Sequence, residues 1–556
     1  MELKASVTEK VQAVVKKLFG LDVDVVLTVP EEQFGDFSTN VAMQLAGKIG
    51  ESPRAIAEKI TSELTAQALV ADIAGPGFIN LRVSDSDLWQ AGQKRNTDVF
   101  AGKVFVVEYS CPNYFKELHA GHLYQTVVAD VVARLIERSG AQVRRTNFGA
   151  DVGLSAARAM WGILNDLGGE FPEKLQEIPK ETRTKYIAAR YVDGATADSA
   201  DDDEATKTAI MAINKQIYTI HKEGDTTSNF AKIYFTCREW SREYFVNFYH
   251  EIKVTDFEKY YPESITEGRG VSTVNAHIGT VFKESRGAVI FDGEPHGVDT
   301  RVFITSQGLP TYEAKDIGLI LIEADDFHFD HRILFTGRDQ LQYMKVVWKA
   351  LDQIIPGSEA KMTHIVNGIV KFGDGQKMSS RTGNVTTAVD VVQAVREAVG
   401  DSGDATRDDQ ISLGAMKYEF LRHRLEGDIA FDPKESVSLQ GNSGPYLQYA
   451  LVRAKSVVVK SSAKAEVPNE LQPDERALVR KLAEYQLVID EATRQYEAHS
   501  ICNYLYELAG QFNKFYEKNL IVGDPRESFR LAIVNCYVDT LTDGLSVLGI
   551  QAPEKM

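Results

Sequence analysis

A chain of 556 residues is longer than one hydrophobic core supports, and at roughly 100 to 200 residues per domain it divides into about three or four units. Hydrophobic residues at 44% and charged residues at 25% exclude a disordered chain and a fibre. No apolar run approaches the ~20 residues of a membrane span, and a net charge of −17 argues against a surface that coats nucleic acid, while leaving room for a local basic stripe.

The N-terminus, MELKASVTEK, reads as a capped amphipathic helix and not a signal peptide, so a soluble cytoplasmic protein is expected. Residues 1–100 then pass a strand-like VDVVLTV, a turn at FGDFSTN and a helix from about Arg54 to Leu69. They close on IAGPGFINLRV, a β-rich segment bent at Gly75, Pro76 and Gly77. This is a small α/β domain, and the polar stretch from Gln93 to Asp98 reads as a linker.

KVFVVEY at 103–109 has the continuous apolar character of a buried strand. Leu123, Val127, Val131 and Leu135 follow at helical spacing, and VRRTNF gives the next strand. Strand, loop, helix, strand opens a doubly wound domain with a parallel sheet, assigned to residues 101–405. A charged helical stretch near 160–260 reads as an insertion, with DSADDDEA as a solvated loop. From Gly287, AVIFD, RVFIT and RILFTG read as the second half of the α/β domain. Residues 406–556 carry periodic apolar helices and form an α-helical bundle. Cys111, Cys237, Cys502 and Cys536 have no paired spacing, so reduced thiols are expected and a disulfide framework or structural zinc is not.

Within CPNYFKELHAGH, His119 and His122 stand three apart at a helix start, where free amide donors and the helix dipole attract an anion. Gly121 leaves the backbone open to a flat base. With 11 histidines and 41 glycines in the chain, a chance HxGH is rare. Two other readings stay open for these residues: a metal site, which lacks an obvious third ligand, and two histidines that merely decorate a helix start. GQKMSSRTGNV at 375–385 is a loop able to fold over a triphosphate, with Lys377 and Arg381 opposing charge and Ser379 and Ser380 donating hydrogen bonds. Alone, it is any exposed turn.

Together, HAGH and KMSSR resemble the HIGH and KMSKS signatures of class I aminoacyl-tRNA synthetases. VEYSCPNYFKELHAGH, NFGADVG, LPTYEAKD, KMSSRTGNV, GNSGPYLQYALVRA and LSVLGIQAPEKM are similar, in this order, to segments of the arginyl-tRNA synthetase family. FGDFSTNVAMQLA and GPGFINLRV look like that family's N-terminal domain. The resemblance implies a Rossmann-like catalytic domain, activation of arginine by ATP with Mg²⁺ on the phosphates, transfer to tRNA, an anticodon-binding helical tail, and a monomer.

It also implies residue roles. His119, His122, Lys116 and Lys377 would act at the phosphates, and Gly121, Met378, Ser379, Ser380 and Arg381 would bind ATP. Glu108 would hold the α-amino end of arginine beside Asn113. Asp316 would take the guanidinium with Tyr312 shaping the pocket, the two lying i and i+4 on one helix face. Ordinary alternatives are pairing of Glu108 with Lys103 or Arg145, and a capping or solvated Asp316. Class I loops often carry lysine where this chain has Ser380. Lys116, ahead of HAGH, is expected to supply that charge. Tyr124 and Gln125 depart from the usual Arg-Ser after the motif, which leaves open what supports the helix start. Phe78 and Asn80 match positions that meet the tRNA corner, the alternative being a Phe78 packed in the small domain's core. In the tail, Tyr449 and Arg453 share a helical face with Lys460, and Asn513, Phe515 and Tyr516 add polar and aromatic groups that suit a single-stranded loop, or plain helix packing. Rival functions are another class I synthetase, an adenylyltransferase, and an RNA-binding paralogue without chemistry.

Overall fold

The computed structural model describes residues 3–67, 69–95, 97–200, 204–372 and 387–556. The chain forms two compact units. One holds Met1–Thr97, Tyr449–Glu491 and Asn503–Gly544, and the other holds Asp98–Gln448, Ala492–Cys502 and Leu545–Met556.

In the first unit, Phe37–Thr39, Phe78–Arg82 and Val70–Ala74 make an antiparallel sheet with Phe78–Arg82 in the centre. The alternation in VDVVLTV does bury Val25 and Leu27, but no strand forms there; Thr28 alone bridges to Ser38. The hairpin at GPG has Gly75 and Gly77 at positive φ, and a Cβ on Gly77 would lie 2.9 Å from that of Pro53. Helices of the tail pack on this domain. Arg476 donates to Asp36 at 2.6 Å, where burial pushes the Asp36 carboxyl up and the guanidinium opposes the shift.

In the second unit, five strands form a parallel sheet: β1 (Val104–Glu108), β2 (Gln142–Gly149), β3 (Lys259–Pro262), β4 (His331–Gly337) and β5 (Met362–Asn367). Their order is β5-β4-β1-β2-β3. The chain winds outward from β1 in both directions, so β1 and β4 are neighbours at the topological switch, the point where ligands bind outside the carboxyl ends of parallel strands. Helix α1 (Ala120–Arg138) follows β1 and buries Leu123, Val127, Val131 and Leu135, as its spacing predicts.

The insertion is helical. It includes Leu154–Leu167, Arg183–Asp198, Glu204–Glu223 and α2 (Asn229–Glu251). Asp198 does not extend into solvent as expected of the acidic run but pairs with Arg158, while 201–203 lie outside the described residues. Helices α3 (Glu263–Ala276) and α4 (Tyr312–Phe327) approach so closely that a Cβ on Gly270 would lie 1.9 Å from the Ala314 carbonyl oxygen.

AVIFD and RVFIT do not extend the parallel sheet. Phe282–Ser285, Ala288–Phe291 and Arg301–Ile304 form a separate antiparallel sheet. The reason is local: Arg286 and Gly287, at φ 50° and 81°, make a two-residue turn, whereas a parallel crossover needs a dozen or more residues.

Candidate active site

A cavity of about 1090 Å³ opens at the carboxyl ends of all five strands. Glu108 comes from the end of β1, Phe148 from β2, Thr336 and Gly337 from β4 and Asn367 from β5. Glu263 follows β3.

The loop from β1 to α1 is held in an unusual backbone. Ser110, Cys111 and Phe115 have φ of 69°, 38° and 65°, each a left-handed conformation costing about 1–3 kcal/mol for such residues. Helix α2 props it. Ser110 Oγ and the Tyr249 hydroxyl are hydrogen-bonded at 2.7 Å, Phe115 N–H donates to Ser241 Oγ, and Leu118 N–H donates to the Tyr244 hydroxyl. Asn113, on the cavity wall, bridges to Ala150 beyond β2.

At the end of this loop His119 is the N-cap of α1 and His122 its third residue, forming a reciprocal capping box. His122 N–H donates to His119 Nδ1 at 3.3 Å, His119 N–H donates to His122 Nδ1 at 3.2 Å, and the rings stack with centroids 3.7 Å apart. Because each Nδ1 accepts, each Nε2 carries the proton of the neutral ring. Burial and the Lys116 charge push His119 down to about 4, and burial, with His119 and Lys116 beside it, holds His122 well below the usual imidazole range. Both histidines line the cavity as neutral donors. Gly121 lies between them, and a Cβ there would come within 2.9 Å of His119 Cε1, so the pair itself requires the glycine.

Among the described residues no three His, Cys, Asp or Glu side chains are grouped to hold an ion. Tyr124 is buried against Phe420, and Gln125 Nε2 donates to the Phe335 carbonyl at 3.0 Å, tying α1 to the end of β4. Those contacts answer what supports the first turn. Lys116 stands outside the cavity wall with its ammonium 4.1 Å from the Tyr191 ring centroid.

Lys377, Met378, Ser379, Ser380 and Arg381 lie outside the described residues. The described residues on either side meet the cavity region. Val370 lines it, and Thr387 bridges to His119 while Ala388 N–H donates to the Leu118 carbonyl at 2.7 Å.

The acidic end of the cavity holds Glu108, Asp316 and Glu263. Glu108 pairs with neither Lys103, which meets Asp330, nor Arg145, which meets Glu137; its partner is the fully buried Arg332. Burial holds Glu108 up at about 7 against the pull of that guanidinium. Asp316 lies within α4, caps no helix, and lines the cavity wall. It is 8% exposed, and among the described residues no donor meets its carboxylate, which burial and the neighbouring Glu108 push well above the usual range. Tyr312, 64% exposed, starts α4 at the cavity rim. Glu263 accepts from Lys315 at 2.7 Å, and Lys315 in turn reaches Tyr218 of the insertion at 3.2 Å. Sequence reasoning missed Glu263 and Arg332. For Arg332 a signal existed, a charged residue in the apolar strand HRILFTG.

Elsewhere, Phe78 is 40% exposed, so it is not a core residue, and Asn80 is half-buried on the same strand. Tyr449 is exposed, whereas Arg453 lies over Tyr516 at 4.4 Å and reaches Asn513 Oδ1 at 3.4 Å. Phe515 is core, 1% exposed.

A parallel sheet of this order, with an HxGH helix start at its switch point, defines the catalytic domain of a class I aminoacyl-tRNA synthetase. The fold is shared with the Mycobacterium tuberculosis methionyl-tRNA synthetase at TM-score 0.51 and 11% identity, over 81% of this chain and 91% of that one. The class narrows further. The family model "tRNA synthetases class I (R), catalytic domain" matches residues 86–425, "Arginyl tRNA synthetase N terminal domain" matches 2–83 and "DALR anticodon binding domain" matches 447–556. Arginine–tRNA ligases of Thermobifida fusca (29% identical, 98% of each chain) and Porphyromonas gingivalis ATCC 33277 (28%, 100% of each) are similar along their length. The Thermus thermophilus arginyl-tRNA synthetase has the same fold at TM-score 0.80 and 22% identity over 100% of both chains. The chain belongs to the arginyl-tRNA synthetase family, class I ligases that join arginine to tRNA at the expense of ATP.

Proposed function

We propose that this chain activates L-arginine in the cavity at the β1/β4 switch and passes it to the 3′-terminal adenosine of an arginine-specific tRNA, working as a cytoplasmic monomer. The arginine carboxylate attacks the α-phosphate of ATP and pyrophosphate leaves; a ribose hydroxyl then attacks the arginyl carbonyl and AMP leaves. Neither step requires a protein nucleophile, so catalysis is positioning and stabilisation of developing charge. Magnesium bound with the nucleotide would supply further charge neutralisation.

The single observation that carries the arginine reading is the buried carboxylate of Asp316 on the cavity wall, which no donor meets among the described residues. A buried carboxylate without a donor is costly, and a guanidinium, planar and always charged, relieves that cost with two parallel hydrogen bonds. Glu263 adds a second carboxylate to this end, Tyr312 covers it, and Glu108 with Asn113 takes the α-amino end. The Nε2–H groups of His119 and His122 serve the phosphates, with Lys116 close enough to depress both rings. Gly121 gives the base access to the backbone, and Lys377, Met378, Ser379, Ser380 and Arg381 complete the nucleotide site. Exposed Phe78 with Asn80 suits stacking against a loop base of the tRNA corner, and Tyr449 with Arg453 suits the anticodon loop.

Pyrophosphate exchange measured across amino acids, with and without tRNA, tests this. Exchange that depends on arginine is expected; exchange with another amino acid, or RNA binding without exchange, overturns the reading.

A further inference from the structure

Beneath the cavity the molecule buries a second guanidinium, its own. Arg332 is 0% exposed and lies on β4 two residues before Leu334, which lines the cavity; alternate residues of a strand share a face, so Arg332 sits on that wall one layer deeper. Its Nη2 donates to Glu108 Oε2, its Nε donates to Glu323 Oε2 at 2.7 Å, and Nη1 has no partner among the described residues. Glu323 is itself fixed, accepting from the Thr146 hydroxyl at 2.7 Å. Glu323 lies seven residues after Asp316 on α4, two turns along the same face, so one helix brings both the pocket carboxylate and the anchor of Arg332.

An isolated buried cation is far more costly than a buried pair, and a pair is no better for stability than apolar residues of the same volume. The chain nevertheless keeps Glu323, Arg332 and Glu108 buried and bonded in succession, ending on the carboxylate at the cavity wall. We propose that Arg332 is a positioning residue for arginine activation: clamped by Glu323, its guanidinium fixes the orientation of the Glu108 carboxylate for the α-ammonium group of the substrate. This rests on the role given to Glu108 above.

The groups that face Glu108 are Arg332 on β4, Glu323 and Asp316 on α4, and Cys111 in its own loop, whose Sγ lies 3.5 Å from Glu108 Oε1. Asp316 is in turn under the influence of Glu263 and Glu313. Of these only Arg332 is a cation. Burial raises Glu108 to about 7 with Arg332 opposing and Glu323 reinforcing the rise. Loss of Arg332 therefore moves protonation of Glu108 to higher pH, and loss of the Glu323 charge moves it to lower pH.

The test is arginine-dependent pyrophosphate exchange by the full chain with tRNA present, with kcat/KM for arginine followed across pH for the unaltered protein, Arg332→Met, Arg332→Lys and Glu323→Gln. In Arg332→Met, KM for arginine is expected to rise about tenfold or more with KM for ATP within about twofold, and the acid limb to move up by about one pH unit. Arg332→Lys, which keeps the charge and loses the fork, restores the limb and only part of KM. Glu323→Gln moves the limb down, and it decides the matter by itself if Arg332→Met does not fold. Unmoved limbs in the folded variants overturn the inference alone. Absence of arginine-dependent exchange in the unaltered protein overturns the functional reading and this inference with it.

Discussion

His119 and His122 cap each other, each Nδ1 accepting the other's backbone N–H at 3.3 and 3.2 Å. The arrangement fixes both tautomers without a carboxylate, leaving both rings neutral with their remaining N–H groups available to an anion. Replacing either by Ala loses a donor and a cap together, so Asn, which retains capping, separates the two. His122→Asn is expected to lower kcat for exchange by about 10²-fold, as loss of one preorganised donor does, with thermal stability changed by no more than about 1 kcal/mol. Exchange kinetics beside a thermal melt check this.

The same pair makes stability depend on pH. Burial depresses His119 to about 4 and His122 well below the unfolded value near 6.5. The unfolded chain therefore takes up protons that the folded chain refuses, so the contribution is full above about 6.5 and is lost as pH falls towards 4. Melting temperature is expected to fall over this window, and His119→Asn to flatten the slope. An unchanged slope in that variant would refute the neutral pair.

Asp316 sets function against stability. Its carboxyl is raised by burial, so the folded state favours its protonated form and the charged form opposes folding as pH rises. Asp316→Asn is expected to raise the melting temperature of the ligand-free protein while raising KM for arginine by about 10² to 10³-fold, the loss typical of an unpaired buried charge of about 3–4 kcal/mol. Arginine added to the unaltered protein should raise its melting temperature, and added to the variant it should not.

Lys116 and Lys377 are expected to differ. In the proposed site, with Ser380 in place of a lysine, the charge beside the phosphates would fall to Lys116, which is near enough to depress both histidines. Lys116→Ala should lower kcat for exchange by about 10²-fold and Lys377→Ala by much less. Equal small effects would sink the assignment.

Phe78→Ala should raise KM for tRNA by about tenfold, the loss of one base stack, and leave tRNA-independent properties such as the thermal melt unchanged, because the ring is exposed. A large drop in melting temperature would return Phe78 to a structural role.

Much of this molecule is legible in one dimension because its signals are local. The run at Val104–Glu108 and the spacing of Leu123, Val127, Val131 and Leu135 predict β1 and α1 within a residue or two. HAGH marks the helix start, and Tyr312 and Asp316 at i and i+4 reach the same cavity. What failed was whatever depended on partners. The strands at 288–291 and 301–304 have the composition of parallel strands but pair among themselves, because strand identity says nothing of the neighbour and the two-residue turn at Arg286 and Gly287 decides it.

The sequence by itself determined the class of chemistry through resemblance: ordered short motifs are similar to those of one synthetase family, and such motifs are legible because each is a contiguous run of residues. Only the tertiary structure decided how those side chains are tuned. Glu108 meets Arg332 across 224 residues of chain, and Thr146 meets Glu323 across 177. Charge states in a low-dielectric interior depend on distance in space and on exclusion of water, and neither is a property of neighbours along the chain.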